Sequence, residues 1–455
     1  MAAGPALGLG PLLLVSLWGA SAPACLLRRL GQHVQRQRER SSPGLGPGPG
    51  AAALPAEGWL EQALDPFNAS DRRSFLQRYW VNEQHWASRD GPVFLHLGGE
   101  GSLGPGAVMR GHPAALAPAW GALVIGLEHR FYGLSIPAGG LDMAHLRFLS
   151  SRHALADVVS ARLALSRLLN VSSSSPWVCF GGSYAGSLAA WARLKFPHLI
   201  FAAVASSAPV RAVLDFSAYN EVVSRSLTST AIGGSPEVEM GPVQRGWGRE
   251  EAFKLGPEEK EQPVWWRGLE RWEPRKVDRV VLHSLGQKCL SFSRAETVAQ
   301  LRVTEPQVSS VGDRQWLYQT CTEFGFYVTC EDPGCPFSQL PALPSQLELC
   351  EQVFGLSTSS VAQAVAQTNS YYGGQTPGAT QVLFVNGDAD PWHVLSVTQA
   401  LGPSVSALLI PSASHCLDMA PERPSDSPSL RLGRQSIFQQ LQTWLRLETR
   451  VRAGL

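Results

Sequence analysis

A mainly parallel α/β sheet covered by helices on both faces, with one large insertion late in the chain, is the fold this sequence predicts. Three observations carry it. Several strand-length runs are continuously apolar rather than alternating, the mark of strands buried on both faces. They alternate with segments of helical apolar spacing. The rhythm then stops from about 215 to 377, where Cys-rich and Pro-rich segments stand with a few candidate helices. The buried strands are read at 92–97, 122–127, 177–180, 201–206, 381–385 and 407–410. Between them, Leu155, Val158, Val159, Leu163 and Leu165 recur at helical spacing, and a second helix follows Ser183 through Leu188, Trp191 and Leu194. An amphipathic helix closes the chain at 437–447. With 455 residues, 44% of them apolar, the chain can bury a main domain and a sizeable insertion.

The 38 basic and 37 acidic side chains nearly cancel. No global field therefore recruits nucleic acid or an anionic membrane. The apolar run Leu12-Leu13-Leu14-Val15-Ser16-Leu17-Trp18, followed by Ala22-Pro23-Ala24, predicts a signal peptide over 1–24. No later run reaches the roughly 20 apolar residues that a membrane span needs, so no stable membrane insertion is expected. Residues 25–57, rich in Arg, Gly and Pro, predict a linker or pro-segment. Eight cysteines suit an oxidising compartment, and Cys321, Cys330, Cys335 and Cys350 predict disulfides rather than zinc, because no C-x-x-C or H-x-x-x-H companion accompanies them. Sequons at Asn68 and Asn170 predict glycosylation on a secretory route.

Gly181-Gly182-Ser183-Tyr184-Ala185-Gly186 has the spacing G-x-S-x-x-G, one residue longer than the strict G-x-S-x-G elbow. Its mechanical setting is still right. A buried strand ends before it, small residues permit a tight turn, and a helix opens directly after the serine, aiming its N-terminus where an oxyanion would form. In an α/β-hydrolase the acid and base follow in the order Ser, Asp, His, each on a loop after a late strand. Asp390, after the strand at 381–385, is the candidate acid and His415, after the strand at 407–410, the candidate base. Asp388 is the rival acid, read instead as a turn aspartate of Asn386-Gly387-Asp388. His393 lies near Asp390 but precedes the last strand, the wrong place for the base. Backbone N–H groups of Tyr184 and of the Gly98-Gly99-Glu100-Gly101 loop are the candidate oxyanion hole, through Gly98 and Gly99. Glu100 is read either as a partner for a substrate's amino terminus or as a solvated loop carboxylate.

Those motifs, together with Glu128-His129-Arg130-Phe131-Tyr132-Gly133 and Ser414-His415-Cys416-Leu417-Asp418, resemble the prolyl carboxypeptidase and dipeptidyl peptidase II family of serine peptidases. The resemblance implies an α/β-hydrolase core (58–214 and 378–455) with a helical cap inserted at 215–377, exopeptidase activity often at proline bonds, and residence in endosomal or lysosomal vesicles. It implies that Ser183, Asp390 and His415 take the triad positions, and that the segment 316–323, with Trp316 and Gln319, faces the substrate cleft. This chain departs from the pattern over 237–279, which is rich in Glu, Arg and Trp, and its insertion is shorter than the family's. Cap cysteines that would pair with Cys289 or Cys321 are then missing, which would leave one or both unpaired.

The chemistry expected is acyl transfer through Ser183, with neither cofactor nor metal. A cap over the site restricts substrates to short or unfolded peptides, in keeping with peptide or antigen processing. Two other readings share the fold: a lipase or esterase, and an inactive peptide-binding variant arising from the altered cap.

Overall fold

A computed structural model describes residues 55–228, 293–306, 312–331, 335, 342–402 and 404–453. The expected signal peptide, nearly all of the linker at 25–57, Cys289 and the atypical stretch 237–279 lie outside the described residues. The chain divides into two compact units. The larger is drawn from 44–214, 304–325 and 359–455, the smaller from 215–303 and 326–358. The stretch 215–377, expected as one insertion, is therefore shared, with 304–325 and 359–377 clustering with the larger unit.

The larger unit is built on an eight-stranded sheet. Its strands are β1 (Ala56–Ala63), β2 (Ser74–Asn82), β3 (Val93–Leu97), β4 (Leu123–Leu127), β5 (Trp177–Gly182), β6 (Ala202–Ser206), β7 (Val382–Gly387) and β8 (Val405–Ile410), in the spatial order β1-β2-β4-β3-β5-β6-β7-β8. From β4 through β8 every pairing is parallel, while β1 and β2 add an antiparallel edge. Strands β4, β6 and β7 are buried at every residue, which is why their sequences read as unbroken apolar runs. β1 alternates between exposed and buried positions, as an edge strand with one solvated face must, and its polar residues hid it from the sequence reading.

Helices cover the sheet. They include α1 (His112–Trp120), α2 (Ser151–Leu168), α3 (Tyr184–Lys195), α4 (Asp313–Gln319), α5 (Thr358–Tyr372) and α6 (Pro428–Ala453). Ser150 caps α2, its side chain accepting from the His153 N–H. α1 ends at Gly121 in the left-handed conformation glycine favours. α6 delivers Leu430, Ile437, Leu441 and Trp444 into the same core as Phe94, Phe180, Val204 and Val385. This strand order, with a serine turn after β5 and loops bearing Asp390 and His415 after β7 and β8, is the α/β-hydrolase fold.

The smaller unit contains helices Ala218–Thr228, Arg294–Leu301 and Leu343–Phe354. Arg302 bonds the Gln352 carbonyl, Arg294 bonds that of Ser345, and Asn220 donates to the Thr329 carbonyl. Cys330 and Cys335 form a disulfide, and Cys350 of this unit and Cys321 of the larger unit are each disulfide-bonded as well. The expectation that Cys321 could be left unpaired is therefore corrected. Among the described residues no helix is long and apolar enough to cross a membrane, and no cluster of His, Cys, Asp and Glu has the arrangement to hold a metal ion.

One buried ion pair ties the loop after β4 to α2. Arg130 meets both carboxylate oxygens of Asp157, at 2.7 and 2.6 Å, and donates to the carbonyls of Ala63, Leu64 and Phe148. Both side chains are buried, so losing one partner strands the other's charge. Asp157→Ala is expected to lower the free energy of unfolding by about 3–5 kcal/mol, measured by urea denaturation; a loss under about 1 kcal/mol would show that the backbone carbonyls alone satisfy the guanidinium.

Candidate active site

The turn between β5 and α3 fixes Ser183. Its backbone sits at φ 60°, ψ −132°, a strained region for any residue with a side chain. A Cβ on Gly181 would lie 2.1 Å from the Ala185 carbonyl oxygen, and one on Gly186 would lie 2.7 Å from the Ser206 oxygen. Both positions therefore require glycine, and the elbow closes with its second glycine one residue late because Gly186, not Ala185, packs against β6. The Ser183 N–H is taken by the Ser206 carbonyl at 2.9 Å. Tyr184 opens α3, and the first N–H groups of a helix lack intrahelical partners.

Asp390 has no exposed surface. Its Oδ1 accepts from the Trp392 N–H at 3.0 Å and caps the short turn Pro391–Leu395. His415 Nδ1 lies 2.9 Å from Oδ1 and 3.0 Å from Oδ2. Donation from Nδ1 leaves Nε2 as the nitrogen that can take a proton. Burial is the largest single influence on this imidazole and pulls its pKa down, but the Asp390 charge, together with Cys416 and the hydrogen bonds to both, carries it well above the ordinary histidine value. A quarter of the His415 side chain stays open to solvent. The His415 loop also reaches the Ser183 turn, since a Cβ on Gly182 would sit 2.8 Å from Cys416 Sγ. Asp388 is exposed and accepts the Ser412 N–H at 2.6 Å, a turn aspartate in its bonding, while His393 points its Nδ1 at the Asp390 carbonyl.

The glycine loop after β3 divides in function. Gly98 N–H donates to the Leu127 carbonyl at 2.8 Å and continues the β3–β4 ladder, so Gly98 cannot also donate to an oxyanion; the expectation for this residue is corrected. Gly99 stands against the start of α3, where a Cβ would lie 3.2 Å from the Ala185 nitrogen. It remains the candidate second donor with Tyr184. Glu100 is half-buried on the same loop.

Within the segment 316–323, expected to face the substrate cleft, Trp316 and Gln319 differ in burial. Trp316 is half-buried, its ring 5.7 Å from that of Tyr184. Gln319, expected at the cleft, is fully buried: its Oε1 accepts from Tyr132 Oη at 2.7 Å and its Nε2 donates to Tyr184 Oη at 2.9 Å. It acts on the site through Tyr184. The same phenol lies 3.0 Å from His129 Nε2, whose Nδ1 faces the Arg130 carbonyl. Burial lowers His129 to about 4, in keeping with a neutral ring that accepts from Tyr184. Behind Gln319, Glu323 receives the Ser151 N–H at 2.9 and 3.0 Å and the Ser151 hydroxyl at 2.5 Å, closing the N-terminus of α2. Burial pushes Glu323 up to about 7, against the pull of the Ser151 and Gln319 hydrogen bonds and of Arg152. Sequence reasoning missed this network; Ser151 and Glu323, 172 residues apart, carry no local pattern.

The model of the serine carboxypeptidase S28 family matches residues 62–246 and 272–437. The thymus-specific serine proteases of Homo sapiens and Mus musculus are 71% identical over 496 aligned positions and 68% over 495; each alignment covers 96% of this chain, and 96% and 97% of the relative. The lysosomal Pro-X carboxypeptidase of Bos taurus is 27% identical over 440 positions, covering 85% of this chain and 87% of its own. An alignment of 496 positions exceeds the 455 residues of this chain, so the human relative carries residues that this chain lacks.

Two outcomes follow from the titrating groups. As pH falls through the raised value of His415 the imidazole takes a proton, and as the candidate base it would then be unable to accept another; Asp390→Asn should move the acid limb of the kcat/KM profile to lower pH while cutting kcat about 10⁴-fold. An unmoved acid limb would assign it to another group. For Glu323, the unfolded chain releases its proton near the ordinary glutamate value of 4.5 and the folded chain at about 7. Between those values the folded state holds one proton more, so this residue's contribution to stability falls as pH rises. In Glu323→Gln that decline should vanish from urea titrations run across this range.

Proposed function

Since the chain belongs to the serine carboxypeptidase S28 family and is thereby a serine-type peptidase, we propose that it removes residues from the ends of short or unfolded peptides through Ser183, His415 and Asp390. The observation that carries the triad assignment is the contact of His415 Nδ1 with both oxygens of a fully buried Asp390, on a loop that also touches the Ser183 turn. Ser183 Oγ gives its proton to His415 Nε2 as it attacks the peptide carbonyl carbon. Negative charge then develops on the carbonyl oxygen, within reach of the N–H groups of Tyr184 and Gly99. His415 returns the proton to the leaving amine, and an acyl ester on Ser183 remains. Water, deprotonated by the same imidazole, hydrolyses the ester and restores the serine.

The substrate class is drawn from relatives named Pro-X carboxypeptidases, a name that supports, for this chain, release of a carboxy-terminal residue that follows proline. Lysosomal residence of those relatives supports a secretory route to endosomal or lysosomal vesicles. Asn68 and Asn170 are both exposed, as glycan acceptors on that route must be. Peptide or antigen processing is the role that such a substrate class supports.

Fluorophosphonate labelling of the natural chain against Ser183→Ala tests the nucleophile: labelling confined to the natural chain is expected, and equal labelling of both would move the nucleophile elsewhere. Peptides ending in Pro-X with a free carboxylate should lose one residue, and their amidated forms should resist. Cleavage of internal bonds in long amidated peptides, or faster turnover of long-chain p-nitrophenyl esters, would overturn the exopeptidase reading.

A further inference from the structure

Acyl transfer as derived above makes no use of the last residue of β6, Ser206, of Ser207 after it, or of Asp418. All three are buried polar residues, and burial of such groups is unfavourable unless they are bonded. Their bonds converge. The Ser206 carbonyl accepts the Ser183 N–H at 2.9 Å, and the Ser206 hydroxyl donates to Asp418 Oδ1 at 2.5 Å. Ser207 donates its N–H to the Val385 carbonyl at 2.7 Å, while its hydroxyl accepts the Cys416 N–H at 2.9 Å. Its φ of 47° lies in the left-handed region, unfavourable for serine and unneeded by a strand that simply ends. One dipeptide thus holds the serine turn by one bond and the histidine loop by two, on either side of Leu417. The far side of that loop is held from α6, where Arg434 donates to the carbonyls of Leu417, Asp418 and Ala420.

We propose that Ser206 and Ser207 are positioning residues that set His415 in register with Ser183, Ser206 through Asp418 and Ser207 through the Cys416 backbone. Asp390 fixes the tilt of the imidazole from one edge, but it stands on a different strand from the nucleophile and cannot by itself fix the distance between base and serine. The β6 dipeptide is bonded to both loops, so it can. Catalytic groups must be held to within about 0.5 Å, and a misplacement of about 1 Å can cost a hundredfold in rate. The inference rests on the reading of Ser183 and His415 as nucleophile and base.

The test measures kcat and KM on the full chain, per site titrated by a fluorophosphonate probe, for Ser207→Ala, Asp418→Ala and Asp418→Asn. Ser207→Ala and Asp418→Ala should still titrate, with kcat per titrated site lowered about tenfold to a hundredfold and KM held within about twofold. Asp418→Asn should recover most of the loss, because its amide oxygen still accepts from Ser206. Unchanged kcat per titrated site in both alanine variants, with only the titratable fraction reduced, would overturn the proposal and leave these residues a structural role. Where Asp418→Ala fails to fold, Ser207→Ala decides. A natural chain that does not label at all would instead overturn the nucleophile reading.

Discussion

The strained backbone at Ser183 is the constraint around which the larger unit is organised. A residue with a side chain held at φ 60° and ψ −132° costs on the order of 1–3 kcal/mol, and it persists only where its surroundings over-determine it. Here they do. Gly181 and Gly186 let β5, α3 and β6 approach at distances no Cβ could survive, and the Ser206 carbonyl removes the one freedom left to the Ser183 N–H. The strain is thus supported by parallel strands buried on both faces. This links the long apolar runs of the sequence to the exposure of a single hydroxyl at the sheet edge.

A second requirement follows from the first. An oxyanion donor at Tyr184 is useful only if α3 cannot rotate, and the phenol of Tyr184 is held from two sides by His129 and Gln319. The loop carrying His129 is itself anchored at each neighbour. Glu128 accepts from Arg78, Ser135 and two backbone N–H groups, Arg130 pairs with Asp157, and Tyr132 returns to Gln319. Each buried charge in the loop has a bonded partner, the condition under which burial is tolerated. The run Glu128-His129-Arg130-Phe131-Tyr132, which carried a family resemblance as a string of letters, is a set of separate anchors for one helix.

What could be read from the sequence is what local pattern encodes. The buried strands are continuous apolar runs, the elbow is a strand ended by small residues, and Asp390 and His415 follow late strands in the order the fold demands. The antiparallel strands β1 and β2 are not legible as continuous runs, because an amphipathic strand mixes polar residues into its sequence. A glycine-rich loop does not reveal which of its N–H groups the neighbouring strand already holds, and Gly98 is the one held. The burial of Gln319 is not legible, since its partners Tyr132 and Tyr184 are 187 and 135 residues away in the chain. Long-range satisfaction of buried polar groups leaves no periodic trace in a sequence.

The distribution of the site along the chain also bears on the stretch that departs from the family. The family match is interrupted between 246 and 272. Every residue assigned above to the nucleophile turn, the acid, the base, the oxyanion donors and the network behind Tyr184 lies in 78–207 or 313–434. None needs a partner from the interrupted stretch for the bonds described, and the larger unit that holds them is drawn entirely from either side of it. A change confined there leaves in place the groups proposed for acyl transfer.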